Sequence, residues 1–283
     1  MKYLKYHALG NDYIVISPNE APEGLTPEDI RLTCHRNYGI GSDGILLGPM
    51  NSNTCDFGLK IFNPDGSEAE KSGNGLRIFS RALFDLGMVS DRPFTVETLG
   101  GGVTCTVDSE GKKVIVEMGT VGFNSTQIPV VGPARDVINE KIIAGGRTFS
   151  FCAATVGNPH CVIPTDNPTS GETMEYGPMI ETDSLFPNRI NVQFMKVIDR
   201  NNIRIEIWER GAGYTLASGS SSTAAAAVAL KLGLCDRDIV VHMQGGSIQL
   251  SFDNGFAATM TGPVTRVCEG IISNEIFKTT SNL

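Results

Sequence analysis

The sequence predicts a mixed α/β (α+β) chain built as two pseudo-symmetric domains, each a strand barrel wrapped around one central helix. Three observations carry that expectation. The chain repeats itself at a fixed offset: Asn63 is answered by Glu209, Ser72-Gly73 by Ser218-Gly219 and Leu86-Gly87 by Leu232-Gly233, each 146 residues on, while Gly10-Asn11 recurs as Gly157-Asn158. Both halves are rich in short segments that read as strands, punctuated by glycine, proline and asparagine. In each half a single strongly apolar segment reads as a helix.

Taken in order, strands are expected at Tyr13–Ile16, Phe57–Phe62, Phe94–Glu97 and Val114–Met118 in the first half. In the second they are expected at Val192–Val197, Ile203–Trp208, Ile239–His242 and Ile248–Phe252. Leu76, Phe79, Leu83, Phe84 and Leu86 make the stripe of the first helix, and Thr223–Leu232 is almost pure alanine, valine and leucine. A helix apolar on nearly every side belongs in the interior, so strands should surround it. Both helices stop at a Leu-Gly pair suited to a C-terminal cap. The domain boundary is expected near Gly119–Gly122, with a return crossing near Gly262-Pro263, which assigns 1–119 and 264–283 to one domain and 120–263 to the other.

Composition fits a cytoplasmic enzyme of 283 residues, 41% hydrophobic and 19% charged, with a net charge of −8 that is spread along the chain. No basic stretch could neutralise a run of phosphates, so nucleic acid is not an expected partner. The apolar run around Ala224–Leu230 is too short to cross a bilayer, and no membrane partner is expected. Seven cysteines at 34, 55, 105, 152, 161, 235 and 268 are scattered and odd in number, which is no disulfide framework. His160-Cys161 and Cys34-His35 are adjacent pairs, not spacings that bring two ligands to one metal, so no metal site is expected. There is no GxxxxGK[ST] loop, Gly211-Ala212-Gly213 lacks a third glycine at the needed offset, and no GxSxG elbow is present.

The Ser-Gly pairs fall at helix N-termini, where backbone N–H groups lack intrahelical partners and the dipole favours an anion. One isolated serine there is ordinarily an N-cap and nothing more, and Ser218–Ser222 could pass for a flexible linker. Duplication of the whole setting points instead to one site built between two half-domains, able to approach a carbon from both faces. Such a site suits proton transfer from one face of that carbon to the other.

Several blocks carry a family resemblance: His7-Ala8-Leu9-Gly10-Asn11-Asp12, Asn63-Pro64-Asp65-Gly66-Ser67, Ser72-Gly73-Asn74-Gly75-Leu76-Arg77, Gly157-Asn158-Pro159-His160, and Glu209 through Ser220. Together they resemble the diaminopimelate epimerases over nearly the whole chain. The resemblance implies two α/β domains with the site in the cleft between them, a homodimer, no cofactor, and interconversion of LL- and meso-diaminopimelate by two-base proton transfer at the α-carbon. It places the catalytic positions at Ser72 and Ser218, with His160 and Glu209 as tuning residues. Gly73-Asn74 and Gly219-Ser220 match donors to the α-carboxylate, and Asn11, Asn63, Asn158, Asn191, Glu209 and Arg210 match residues that hold the amines and distal end. A planar guanidinium at 210 suits a second carboxylate, though Arg210 could instead pair with Glu209 or another acid, and the asparagines could be turn formers.

This chain departs from the family pattern in carrying serine at both catalytic cysteine positions. A thiol has a pKa of about 8.5 that a helix N-terminus lowers further, whereas a serine hydroxyl is far less acidic and ordinarily needs an adjacent base. The identical change at both positions, with the other motif blocks retained, favours deliberate replacement that traps a ligand over a natural variant, and implies small residual turnover. Gly44, where some relatives carry a glutamine that reaches the substrate, and Ser221, where glycine is usual, are further departures. Alternatives are a related racemase of histidine or another amino acid, a non-catalytic amino-acid-binding module, and, least favoured, a serine hydrolase with His160 as base.

Overall fold

Parallel strand pairs need long crossover connections, usually helical, and four such pairs organise this chain. The structure, a computed structural model, describes residues 1–21 and 23–278. Two compact units divide it, one formed by Met1–Val116 with the chain from Gly262 onward and the other by Glu117–Thr261. Residues 279–283, assigned above to the first domain, lie outside the described residues.

In the first unit the chain forms β1 (Lys2–Ala8), β2 (Asn11–Ile16), α1 (Pro27–Cys34), β3 (Ile45–Met50), β4 (Phe57–Phe62), the short β5 (Glu68–Ala69), α2 (Gly73–Asp85), β6 (Phe94–Thr98), β7 (Gly101–Val107) and β8 (Lys113–Thr120). The second unit continues with β9 (Glu140–Ala144), β10 (Arg147–Thr155), β11 (Pro159–Pro164), α3 (Ser170–Glu181), β12 (Asn191–Asp199), β13 (Asn202–Glu209), β14 (Gly213–Thr215), α4 (Gly219–Lys231), β15 (Asp238–Met243), β16 (Gly246–Phe252) and β17 (Ala257–Pro263). Then β18 (Thr265–Ile271) pairs antiparallel with β1, which returns the chain to the first unit.

The repeat in the sequence is a repeat in topology. β2 runs parallel to β3 across α1, and β4 parallel to β6 across α2. In the other unit β11 runs parallel to β12 across α3, and β13 parallel to β15 across α4. The remaining neighbours are antiparallel in both units: β1 with β2, β3 with β4, β6 with β7, answered by β10 with β11, β12 with β13, β15 with β16. Even the short strand that precedes each central helix is duplicated, β5 on β4 and β14 on β13.

Each central helix sits inside its own curled sheet. α2 packs on β1, β2 and β3 and also on β7, strands from opposite ends of the pairing order, while α4 touches β10, β11, β12, β13, β15 and β16. Ala224 through Ala229 are all fully buried, so small side chains let the helix approach strands on every side. Both helices have 13 residues and end alike. Gly87 and Gly233 adopt φ of 70° and 71°, and Met88 and Leu234 donate back to the carbonyls of Leu83 and Ala229, a complete C-terminal cap in each case.

One expectation is corrected. Among the described residues each unit has two α-helices, not one: α1 has only 8 residues, and α3 contains Gly171, Gly177 and Pro178, residues that disfavour a helix interior, so neither has a strong helical pattern in the sequence. α4 begins at Gly219, as the Ser-Gly pair implies and four residues before the apolar run; Ser221 and Ser222 are buried in its first turn and Ser220 is half-buried. The strands β1, β3, β5, β7, β9, β10, β11, β14, β17 and β18 add to the eight expected. Among the described residues no helix is long and apolar enough to cross a membrane.

The tight fit of α4 generates a test. Ala226→Leu should destabilise the chain by about 1–3 kcal/mol through overpacking, read as a lower urea midpoint, whereas substitution of exposed Lys141 should leave the midpoint within error.

Candidate active site

In the first unit the site grows from the start of α2. Ser72 is extended (φ −138°, ψ 117°), its carbonyl accepts the Leu76 N–H at 2.8 Å, and its Oγ accepts the Gly75 N–H at 3.0 Å. The Tyr13 hydroxyl lies 3.3 Å from the same Oγ. Gly73 and Asn74 form the first turn, with N–H groups directed as helix-start donors. The Asn74 amide donates to Asn11 Oδ1 at 2.9 Å, and the Asn11 amide donates to Asp43 at 3.0 Å. Asp43 and Asp12 are both held by Arg36, and Lys5 also pairs with Asp12. Burial opposes ionisation of Asp12, yet Arg36 and Lys5 outweigh it and hold its carboxyl below the usual range.

Arg77 is the largest fully buried side chain of the protein, 0% exposed, and it donates to Asn74 Oδ1 and, at 3.4 Å, to the Pro263 carbonyl. Burial lowers its pKa to about 10, and its Nε has no partner among the described residues. A charge so confined pins the Asn74 side chain from within, which orients the first turn of α2. Asn63 stands apart from this network: its amide donates to Ser67 Oγ at 3.0 Å, inside the turn after β4. Gly44 lies at the entry to β3, and its carbonyl accepts from Ser42 Oγ and the Ile14 N–H.

The second unit repeats the helix start with different company. Ser218 has φ −145° and ψ 126°, its carbonyl accepts the Ser222 N–H, and its Oγ accepts the Ser221 N–H at 3.4 Å. Asn158, His160 and Ser220 form one chain: His160 Nε2 meets Asn158 Oδ1 at 3.0 Å, and the Asn158 amide donates to Ser220 Oγ at 3.3 Å. Gly219 opens the helix, and its carbonyl accepts the Thr223 hydroxyl. On β12, Asn191 is the strand partner of His160; it donates to the Pro159 carbonyl at 2.8 Å and accepts the Arg210 N–H at 2.9 Å. The Arg210 guanidinium donates to the Asn188 carbonyl at 3.1 Å. Glu209 ends β13, with its carbonyl receiving the Ala212 N–H.

Among the described residues His160 bonds Asn158 and makes no hydrogen bond to either serine. It is 0% exposed, and burial drives its pKa down to about 3, with the Gln193 amide opposing that shift and the Arg210 charge adding to it. The imidazole is therefore neutral at ordinary pH, and it orients Asn158 and, through it, Ser220.

Gln193, Glu181, Asp43 and Tyr13, together with Arg36 and Lys5, belong to these networks and lie outside the expected site. Gln193 is fully buried in β12 and donates to Ser221 Oγ at 3.0 Å, so a polar residue between apolar Val192 and Phe194 is its signal. Glu181, at the end of α3, accepts the Trp208 indole at 2.6 Å and the Gly211 N–H at 2.9 Å, and pairs with Arg189 at 2.6 Å. That carboxylate anchors the turn carrying Glu209 and Arg210, and nothing local in the sequence marks it. Among the described residues no group of three or more metal-ligating side chains converges.

Two serine-capped helix starts inside duplicated α/β units define the class. The fold is shared with a solved probable proline racemase from Agrobacterium radiobacter K84 at a TM-score of 0.73, with 16% identity over 98% of this chain and 94% of that one. It is the two-domain racemase and epimerase fold. The family model for diaminopimelate epimerase matches residues 3–123 and 152–267. "Diaminopimelate epimerase 2" of Nostoc sp. is 60% identical over 98% of this chain and 97% of its own length. The diaminopimelate epimerase of Moorella thermoacetica is 37% identical over 95% and 98% respectively. The chain belongs to the diaminopimelate epimerase family and is an isomerase of the epimerase type.

Buried neutral His160 sets an acid limit on stability. Its folded pKa of about 3 lies below the unfolded value of about 6.5, so the unfolded chain binds the proton first and stability falls as pH drops below that value. Between pH 7 and pH 5 the expected loss is at most about 2 kcal/mol. His160→Gln should flatten this part of the pH dependence of thermal unfolding, even where it lowers the midpoint at pH 7.

Proposed function

We propose that this chain interconverts LL- and meso-diaminopimelate at the α-carbon without a cofactor, and that it does so slowly. The observation that carries this reading is the duplicated helix start, Ser72 at α2 and Ser218 at α4, each an extended N-cap with its Oγ held by the third N–H of its helix. One hydroxyl from each unit serves as the acid or base for one face of the carbon. The first-turn donors of Gly73-Asn74 and Gly219-Ser220 bind the α-carboxylate, as helix starts favour anions. Asn11, Asn63, Asn158, Asn191, Glu209 and Arg210 hold the amines and the distal end. The guanidinium of Arg210 can grip a second carboxylate in two bonds. That is a feature a histidine racemase would have little use for.

The serines explain the low rate expected. These are the family's cysteine positions, and a hydroxyl at a helix start remains a far weaker acid than a thiol in the same place. His160 bonds Asn158 and leaves Ser218 without an imidazole base, which also argues against a serine hydrolase. The active unit is a homodimer by likeness to the family, and the site of action is the cytoplasm.

Exchange of the α-hydrogen with deuterated water tests the reading. Ser72→Cys combined with Ser218→Cys should raise exchange and epimerisation of diaminopimelate by about 10²–10⁴-fold, the range of a positioned acid–base group. Tight diaminopimelate binding with no exchange even in the cysteine-bearing chain would mark a binding module instead. Exchange on another amino acid and none on diaminopimelate would mark a different racemase.

A further inference from the structure

We infer that Tyr13 is a positioning residue for proton transfer, acting through Ser72. This rests on the reading of Ser72 as an acid–base group. Tyr13 lies on β2, 7% exposed, with its hydroxyl 3.3 Å from Ser72 Oγ. The opposite side of that Oγ is taken by the Gly75 N–H at 3.0 Å, so two partners fix the hydroxyl in place. The packing around the ring shows that this placement is built. A Cβ at Gly44 would fall 2.6 Å from Tyr13 Cε1 and 2.5 Å from the Phe62 carbonyl oxygen. Any side chain at 44 would displace the ring, so the absence of one there is a condition for Tyr13 reaching Ser72. The equivalent hydroxyl of Ser218 is held by the Ser221 N–H.

The chemistry gives the contact a use. A phenol ionises near pH 10, while an alcohol is a far weaker acid, so a proton deficit shared by the pair rests on Tyr13 and not on Ser72. When Ser72 acts as acid, its O–H bond breaks as the proton passes to the substrate carbanion. The Tyr13 proton then moves to Ser72 Oγ and leaves a phenolate. When Ser72 acts as base, every transfer reverses: the phenolate takes the Ser72 proton as Ser72 takes the α-proton. Protons balance over the two faces because a single proton deficit passes between them: it lies on the Ser218 oxygen before the α-proton is taken there and on Tyr13 after Ser72 has delivered its own. On the Ser72 face the alkoxide, which is the costly species, is never left alone.

Tyr13→Phe removes one oxygen and keeps the ring over Gly44. In the chain with Ser72, kcat for diaminopimelate should fall by about 10²-fold or more, the lower end for a positioned acid–base group, with KM held within about twofold. With Ser72→Cys and Ser218→Cys present, the same substitution should cost less than about threefold, because a thiol ionises without help. Gly44→Ala, which pushes the ring aside, should show the same dependence on residue 72. Equal losses in the two backgrounds, or no loss in either, would overturn the inference in favour of a packing role. An unsubstituted chain with no α-hydrogen exchange beside an active cysteine-bearing chain would also overturn it, while leaving the epimerase reading intact. Inactivity of both would remove that reading, and the inference with it.

Discussion

The structure depends on a helix buried on all sides having its ends resolved. α4 has strands around it and almost no polar side chain in its body, so its backbone must satisfy itself at both termini. The C-terminal end does so with a glycine in the left-handed conformation and two back-donated hydrogen bonds. The N-terminal end does so with one serine oxygen that takes the third N–H, while the first-turn donors remain directed outward. The same solution appears at α2. A packing requirement thus produces in each unit a helix start whose outward N–H groups favour an anion, with a hydroxyl held at its edge.

Most of the remaining polar structure serves to orient those two starts. Around α2, a buried guanidinium fixes Asn74, Asn74 fixes Asn11, and Asp43 ties Asn11 to Arg36. Around α4, the orienting groups are neutral: Gln193 holds Ser221, and His160 holds Asn158, which holds Ser220. Burial explains the difference in character. His160 escapes the cost of desolvation by giving up its proton, whereas Arg77 stays charged because even a pKa lowered to about 10 lies well above neutrality. The two halves share a backbone plan and differ in electrostatics, so the two hydroxyls are not chemically equivalent.

How much could be read without coordinates varied with the range of the interactions. The central helices, their Leu-Gly ends and their Ser-Gly starts were legible because each rests on residues within one or two turns. The eight strands expected from alternation were legible for the same reason. α1 and α3 were not, since a short helix and one broken by glycine and proline draw their stability from the strands they bridge. Asn11 and Asn158 carried their signal through repetition, yet their partners Asp43, Asn74, His160 and Ser220 include contacts across 32 and 62 residues. Tyr13 read only as part of a strand, because its contact with Ser72 spans 59 residues and depends on a glycine elsewhere.

By itself the sequence determined the duplication, the fold class, the caps of the two central helices and the hydroxyl, Ser72 or Ser218, that stands at each helix start, because these follow from residue type and spacing along the chain. Only the tertiary structure decided that His160 serves Asn158, that Arg77 and Gln193 are buried orienting groups, that Glu181 anchors the turn bearing Arg210, and that Tyr13 fills the space left by Gly44. Those assignments depend on which side chains are brought together from distant segments and how far each is removed from water. Local pattern carries no information about either.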